Sequence, residues 1–260
     1  MRQVLTIALC LVFAVGFAGC DSNGGGEGPT AEVRFMHASP GAGDVSVVVG
    51  GETILSGVSF SGNIVSPTVS DYEEISVGTD TEIEVQDASG APVLSTTAGA
   101  ANLEEDNQYT IIVAGTPSAE SAPRAIALRD QFRDDLGDSQ IGLRLVHGAA
   151  MPGAVDIYLN APGTDLTQQD LITEDFQFGE DFPGEFAGQF APQALSDNGS
   201  VLVVTPAGQT TRVLELPVGT GSEGSLEVQP GMHLTGVAID APGSDNQPAG
   251  ALIHIDAPGM

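Results

Sequence analysis

The stretch that decides the fold is 33–49, VRFMHASPGAGDVSVVV, because it recurs 110 residues later as 143–159, LRLVHGAAMPGAVDIYL. Aligned without a gap, the two copies share an arginine, a histidine, a glycine and a valine: Arg34/Arg144, His37/His147, Gly43/Gly153 and Val45/Val155. Later segments repeat in the same order, with 58–60 matching 176–178, 109–114 matching 234–239, and 125–128 matching 251–254. We therefore predict an internal duplication, with a boundary near residues 137–140.

Both halves consist of short runs rich in Val, Ile and Thr between clusters of Gly, Pro, Asn, Asp and Ser, a pattern typical of β-strands. The expected strands are 32–37, 44–49, 53–56, 72–77, 81–87, 92–96, 108–114, 124–129, 141–147, 154–159, 192–196, 200–205, 210–216, 225–229, 232–239 and 250–255. The only helix candidate is residues 130–136, a short segment that we expect to be part of the linker between the halves. The sequence thus predicts an all-β protein of two tandem antiparallel β-sandwich domains, 31–137 and 138–260.

The amino terminus predicts export and lipidation. Residues 1–19 combine one positive charge, an apolar core and small residues before a cysteine, as in a secretory signal peptide. The end of this segment, FAGC at 17–20, resembles the lipobox of bacterial lipoproteins, with Phe in place of the usual Leu. The resemblance implies cleavage before Cys20 and a stable lipid anchor, since several acyl chains hold where one is marginal; an ordinary secretory peptide is the alternative.

The segment after the cleavage site, residues 20–30, is rich in glycine and is expected to be a flexible tether. Asp21 resembles a signal that retains lipoproteins at the inner membrane in some bacteria, but the rule does not hold in all lineages, so the choice of membrane stays open. Cys10 leaves with the signal peptide, and Cys20 alone can form no internal disulfide.

The chain is strongly acidic, with 35 Asp and Glu against seven basic residues, all arginine, and a net charge of -28. Such a surface repels the phosphates of nucleic acids, which excludes them as expected partners. Adaptation to high salt, which screens self-repulsion, is the favoured explanation. Calcium binding is the alternative, although no EF-hand loop or glycine-aspartate repeat array is present.

The run VRFMHASP at 33–40, followed by Val45-Ser46-Val47, resembles the opening of a bacterial family known as domain of unknown function 4397. Its members typically begin with a V-R-x-x-H-A-S-P-x-A-x-x-V-D-V-Y pattern and often occur in tandem behind a lipoprotein signal. The second copy keeps the VDIY of 155–158 but has GAA at 148–150, and the first copy has Ser46 where the family prefers Asp. The resemblance implies an immunoglobulin-like β-sandwich and brings no established activity.

The shared histidines and arginines are expected to be structural. Alternation along a strand places His37 on the apolar face and Arg34 on the other, and His147 and Arg144 repeat this arrangement. A metal site needs several convergent ligands, whereas each copy supplies one such histidine and no cysteine. We expect a ring nitrogen of each histidine to bond backbone in the following turn. His233 and His254 have no counterparts in the first copy.

No catalytic motif is present, and no cofactor or catalytic residue is predicted. The glycine pattern at 219–224 lacks the following helix that a nucleotide site requires. The most unusual segment is 175–193, whose Phe178, Phe182, Phe186 and Phe190 recur every fourth residue between glycines and a proline. These rings either fill the core or form a binding surface.

Taken together, these features predict a non-catalytic, lipid-anchored envelope protein that acts as a protein-interaction or scaffold module. An extracytoplasmic polysaccharide-binding or hydrolytic accessory protein is the alternative. The expected partners are the membrane, through the lipid, and an envelope protein or a glycan.

Overall fold

The computed structural model describes residues 28–62, 67–116, 123–149, 153–181, 189–196, 199–219, 226, 228–240 and 250–256. These residues form sixteen strands and no helix. The first eight strands are β1 (Thr30–Ala38), β2 (Val45–Val49), β3 (Glu52–Val58), β4 (Glu73–Ser76), β5 (Glu82–Asp87), β6 (Pro92–Thr97), β7 (Gln108–Ala114) and β8 (Arg124–Arg129). The second eight are β9 (Gln140–His147), β10 (Val155–Asn160), β11 (Leu171–Phe176), β12 (Ala191–Ala194), β13 (Ser200–Pro206), β14 (Leu214–Val218), β15 (His233–Ile239) and β16 (Gly250–Asp256).

The two halves have the same topology. In the first, the sheets have the orders β4-β1-β7-β8 and β3-β2-β5-β6; in the second, they have the orders β12-β9-β15-β16 and β11-β10-β13-β14. We call these halves the first and the second repeat. The predicted all-β architecture of two sandwiches is confirmed. If the eight strands of each repeat are lettered A to H in chain order, the two sheets have the strand orders DAGH and CBEF. An immunoglobulin constant domain has the different orders ABED and CFG.

One strand pair in each repeat corrects the antiparallel expectation. β1 runs parallel to β7, and β9 runs parallel to β15, whereas all other named pairs are antiparallel. Parallel strands are typically buried on both faces and read as continuous apolar runs. The segment YTIIVA at 109–114 has this character, since all six of its residues are buried.

Each repeat has its own core between its two sheets. In the first repeat, Val33 and Phe35 of β1 form a buried cluster with Val47 of β2 and Ile83 of β5. The second repeat has a larger cluster, which joins Leu143 and Leu145 to strands β10, β13 and β14 and includes the fully buried Phe176. Alternation along β1 therefore directs one face into the sandwich, as the sequence predicts.

The opposite face of β1 is also buried, because the two repeats pack against each other. Met36 and Ile112 of the first repeat form one cluster with Val146, Val237 and Leu252 of the second. Gly115 donates a backbone hydrogen bond to the carbonyl of Gly148, 3.1 Å away, across this contact. We call the two facing sheets, β4-β1-β7-β8 and β12-β9-β15-β16, the inner sheets. The molecule is thus a stack of four sheets, with the inner sheets in the middle.

Residues 130–136 do not form the expected helix. The backbone N–H of Arg133 donates to Nε2 of His233 at 2.9 Å, and the ring of Phe132 stacks on Phe190 with centroids 5.5 Å apart. The first of these contacts uses a backbone N–H that a helix would have bonded to one of its own carbonyls. The segment is an extended linker held against the second repeat.

Two strand predictions in the second repeat also differ from the structure. In 225–229, the described residues contain only an isolated bridge between Leu226 and Val218. The sequence prediction missed β11, LITEDF, which pairs with β10. Register shifts interrupt that pairing, so the sequence of β11 lacks a regular alternation of apolar and polar residues.

No helix among the described residues is long and apolar enough to span a membrane.

Candidate functional site

The two shared histidines hold the turn that follows their strand. Nε2 of His37 lies 2.8 Å from the carbonyl oxygen of Gly43, and Nε2 of His147 lies 2.7 Å from that of Gly153. Because a carbonyl only accepts, both Nε2 atoms carry the hydrogen. Both acceptor glycines have positive φ, 70° and 93°, a conformation that favours glycine. Each histidine therefore bonds the backbone of the turn that follows its own strand.

Burial lowers the pKa of His37 and of His147 below the ordinary histidine value, although the bonds to the glycine carbonyls oppose this shift. Both rings are consequently neutral at pH 7. In His37, the second ring nitrogen accepts a hydrogen bond from the backbone N–H of Ser39 at 3.3 Å. With both nitrogens occupied inside one turn, this histidine has no free atom for a metal or a substrate.

Ser46 in the first copy and Asp156 in the second occupy equivalent positions. Each side chain accepts a hydrogen bond from a backbone N–H at a bulge of the neighbouring strand. Oδ1 of Asp156 accepts from the N–H of Asp175 at 2.9 Å, and Oδ2 accepts from the N–H of Gly208 at 2.8 Å. In the first repeat, Oγ of Ser46 accepts from the N–H of Gly57 at 3.4 Å. Asp175 and Gly57 both have positive φ at irregular points of the strand pairs. The aspartate of the family pattern is thus a bulge-capping residue here.

The shared arginines lie on the inner sheets, on the face that meets the other repeat. Nε of Arg34 donates to Oγ1 of Thr110 at 2.9 Å, and Thr110 contacts both carboxylate oxygens of Asp130 at 2.9 and 2.7 Å. In the second repeat, Arg144 donates to Oγ1 of Thr235 at 3.1 and 2.9 Å, and Thr235 donates to Asp256 at 2.7 Å. Each repeat therefore contributes an Arg-Thr-Asp set.

The two sets exchange partners across the contact. Nη1 of Arg144 lies 2.8 Å from Oδ1 of Asp130 in the first repeat, and Nη2 of Arg34 donates to Oδ1 of Asp256 in the second repeat. The side chains of Arg144, Asp130 and Asp256 are 0% exposed, and that of Arg34 is 10% exposed. We call these four residues with Thr110 and Thr235 the crossed ion network. It has two positive and two negative charges, so its formal charge is zero.

An aromatic ring covers each arginine of the crossed ion network. The guanidinium carbon of Arg34 lies 4.9 Å from the ring centroid of Tyr72, and that of Arg144 lies 4.4 Å from the centroid of Phe190. The register of β4 on β1 and of β12 on β9 places these two rings at equivalent positions. Tyr72 also donates its hydroxyl to Oδ2 of Asp130 at 2.7 Å. Burial, followed by Asp130, raises the pKa of Tyr72, which keeps the hydroxyl protonated as a donor.

The two histidines without counterparts both lie beside the crossed ion network. Nε2 of His254 is 3.1 Å from Nη1 of Arg34, and Nε2 of His233 accepts from the backbone N–H of Arg133. Strand register aligns His254 with Leu128 and His233 with Gln108 of the first repeat. Burial lowers the pKa of both histidines.

Residues 175–193, which we call the Phe-rich segment, include two candidate rings that the structure describes, Phe178 and Phe190. Phe190 is 0% exposed, which corrects its assignment to a candidate binding surface: Arg144, Phe132 and His233 enclose its ring. Phe178 is half-buried, and the guanidinium carbon of Arg124 from the first repeat lies 5.1 Å from its ring centroid. Phe182 and Phe186 lie outside the described residues, as does the predicted lipidation residue Cys20.

Asp130 and Asp256 form a pair of buried carboxylates, but their surroundings do not suit hydrolysis. Arginine, threonine or tyrosine groups occupy their oxygens, and neither side chain is exposed. No group of three or more His, Cys, Asp or Glu residues in the described part of the chain could hold a metal ion. An open depression of about 360 Å³ lies beside the linker, lined by residues such as Phe132, Asp134 and Gln189. Its walls contain none of the buried carboxylates.

Comparison with known proteins identifies a family for the first half of the chain. Residues 31–158 match the model of a family described as a domain of unknown function, DUF4397. This part of the chain belongs to that family, which confirms the resemblance seen in the sequence. The match extends from β1 into β10, across the whole first repeat. No curated protein matches the chain.

Among solved structures, the chain is similar to a crystal structure of a "putative cell adhesion protein" from Bacteroides fragilis. The identity is 9%, with 88% of this chain and 99% of that chain covered, and the TM-score is 0.22. A likeness at this level supports no conclusion about function.

The sequence prediction missed the acidic half of the crossed ion network. Extending the repeat alignment at 125–128 and 251–254 by two residues places Asp130 opposite Asp256, and the alignment of β7 with β15 places Thr110 opposite Thr235. Identical polar residues within otherwise apolar strands, or directly after them, were the available signal. The sequence could not show that each arginine binds the aspartate of the other repeat.

Proposed function

We propose that the protein is a non-catalytic, lipid-anchored protein of the bacterial cell envelope that serves as an interaction or scaffold module. The observation that carries this proposal is the use of the duplicated signature residues. The arginines, the histidines and Asp156 bind other parts of the same chain, within a repeat or between the repeats. The use of these residues in folding and domain packing supports a platform role over a reaction centre.

The charge distribution supports a platform with an acidic exterior. Two of the seven arginines, Arg34 and Arg144, are buried in the crossed ion network, so the surface is poorer in positive charge than the composition suggests. Such a surface favours neutral or cationic partners and repels anionic ones. The lipid on Cys20 and the tether at 20–30 would hold this platform near a membrane, inner or outer.

Replacement of the anchoring cysteine tests the location. We expect Cys20→Ser to leave the membrane fraction and appear in the soluble envelope fraction, because it removes the acylated side chain. Cys10→Ser is the matched control, since its cysteine lies inside the signal and is expected to be removed; this variant should remain with membranes. Membrane partitioning of Cys20→Ser equal to that of the parent protein would defeat the anchor proposal.

A glycan and protein array in molar salt tests the scaffold role against polysaccharide binding. We expect that the protein does not bind any one glycan class through the Phe-rich segment. Binding to one glycan class that disappears in Phe182→Ala or Phe186→Ala, while the melting temperature stays unchanged, would overturn the scaffold proposal. Cleavage of the bound glycan would also overturn the non-catalytic assignment.

A further inference from the structure

We propose that the contact between the two repeats is acid-sensitive, and that His254 and His233 are the groups whose protonation loosens it. Both histidines lie in the second repeat, and the first repeat has no histidine at the equivalent positions. Each accepts a hydrogen bond at a boundary of the second repeat. His254 accepts from Arg34 of the first repeat, and His233 accepts from the backbone of the linker. Each contact requires an unprotonated Nε2.

The geometry fixes the protonation state of His254. Nε2 lies 3.1 Å from Nη1 of Arg34, and a guanidinium group has donors only. Nε2 must therefore present its lone pair, and the ring is neutral with its hydrogen on Nδ1. The side chain of His254 is 24% exposed, so a proton from the solvent can reach it.

Protonation of His254 changes the partners of Asp256. Oδ1 of Asp256 lies 3.7 Å from Nε2 of His254 and also accepts from Arg34. A hydrogen on Nε2 would face the donor group of Arg34 and would compete with Arg34 for this carboxylate. An ion pair between the repeats is then replaced by one within the second repeat. Arg144 and Asp130 are the other charged groups that act on this ring, and their effects on its charge are opposite in sign.

His233 acts on the linker by the same principle. Its Nε2 accepts from the N–H of Arg133 at 2.9 Å, so protonation replaces this hydrogen bond with two opposed N–H groups. The rings of Phe132 and Phe190 cover the ring of His233, with centroid distances of 5.3 and 4.9 Å. The charged groups that act on it are Asp256, Asp134, Arg144 and Arg133, in that order.

The direction of the pH effect follows from the pKa shifts, which support the geometry. Burial lowers the pKa of both histidines, whereas Asp256 opposes the shift. Since the closed contact requires the neutral rings, its stabilisation is complete above the ordinary histidine pKa of about 6.5 and is lost as the pH falls below that value. Each histidine that takes up a proton on opening increases the opening equilibrium by up to about tenfold per pH unit.

Hydrogen exchange of single amides in the full chain provides the test. The amide of Gly115 bonds Gly148 across the contact, whereas the amide of Gly50 bonds Glu82 within an outer sheet and serves as the internal control. Between pH 7.5 and 5.5, after correction for intrinsic exchange, we expect the opening equilibrium at Gly115 to rise at least tenfold. The opening equilibrium at Gly50 should change by less than about threefold.

Three variants assign the effect to the two rings. His254→Leu and His233→Gln introduce the residues found at the equivalent positions of the first repeat, and His254→Gln retains an acceptor for Arg34 that does not titrate. We expect each to reduce the pH response of Gly115, and we expect the His233→Gln/His254→Gln double variant to abolish it. An unchanged response in the double variant would overturn the proposal, as would equal changes at Gly115 and Gly50 in the parent protein.

Discussion

The crossed ion network allows a quantitative prediction for Arg144→Met. Methionine fills much of the volume of the arginine stem, so the substitution removes the charge and the hydrogen bonds with little loss of packing. The lost partners are Asp130, Thr235 and the carbonyl of Arg129, which lies 3.3 Å from Nη1 of Arg144. Asp130 then remains fully buried, and the arginine that remains beside it is Arg34. Nε of Arg34 lies 3.6 Å from Oδ2 of Asp130.

The expected cost of Arg144→Met is about 3–5 kcal/mol, the range for removing one partner of a buried ion pair. This loss is a large fraction of the 5–15 kcal/mol that typical domains have. Most of the cost comes from leaving the buried carboxylate of Asp130 without its nearer arginine, so removing that carboxylate as well should recover much of the lost stability. The Arg144→Met/Asp130→Leu double variant is therefore expected to be more stable than Arg144→Met alone.

Urea unfolding at constant high salt measures these differences, because urea leaves the ionic strength unchanged. Arg212→Met is the matched control: Arg212 pairs with Glu215 on the surface, where the two side chains are 32% and 48% exposed. Surface pairs contribute about 0–1 kcal/mol, so this control should differ little from the parent protein. A loss below about 1 kcal/mol in Arg144→Met would refute the reasoning, since it would mean that the network is solvated.

Four further substitutions, three in the duplicated signature and one at Gly142, test structural roles by urea unfolding. His37→Ala should cost about 1–3 kcal/mol, because it leaves a turn carbonyl unpaired, and it should abolish no binding; selective loss of a ligand at unchanged stability would contradict this role. Asp156→Ala should cost about 3 kcal/mol for two lost backbone partners, and Ser46→Ala less than about 1 kcal/mol for its long, exposed bond; equal costs would contradict the bulge-capping role. Gly142→Ala should cost about 1–3 kcal/mol, since the new Cβ would lie 2.5 Å from Cδ2 of His233; a neutral effect would mean that this ring is not packed as described.

The duplication and the all-β architecture could be predicted from the sequence, because both depend on local patterns. Alternation and turn residues identified most strands, and the gapless match of 33–49 with 143–159 revealed the repeat. The turn role of His37 also followed from its place at the end of an apolar face. Strand β11 was missed because its pairing is irregular. The helix expected at 130–136 was wrong, because the backbone N–H of Arg133 bonds the distant side chain of His233.

The contact between the repeats could not be predicted, because it depends on how two finished sheets meet. Arg34 and Met36 alternate with the core residues of β1, a pattern that fits a solvated face as well as a buried one. Phe190 shows the same ambiguity: the sequence was compatible with a core position and with a binding surface, and in the structure a guanidinium group and two aromatic rings cover it. Burial of a polar side chain between two domains leaves no local signature in its own strand.

The ion pairs between the repeats are reciprocal, as in a symmetric dimer. Arg34 binds Asp256, and Arg144 binds Asp130, so each repeat offers the same donor and takes the same acceptor. This reciprocity is that of an isologous two-fold dimer. The molecule is therefore equivalent to a homodimer whose two subunits have been joined by a linker. The two halves depart from that symmetry where Tyr72 is equivalent to Phe190 and where Leu128 is equivalent to His254.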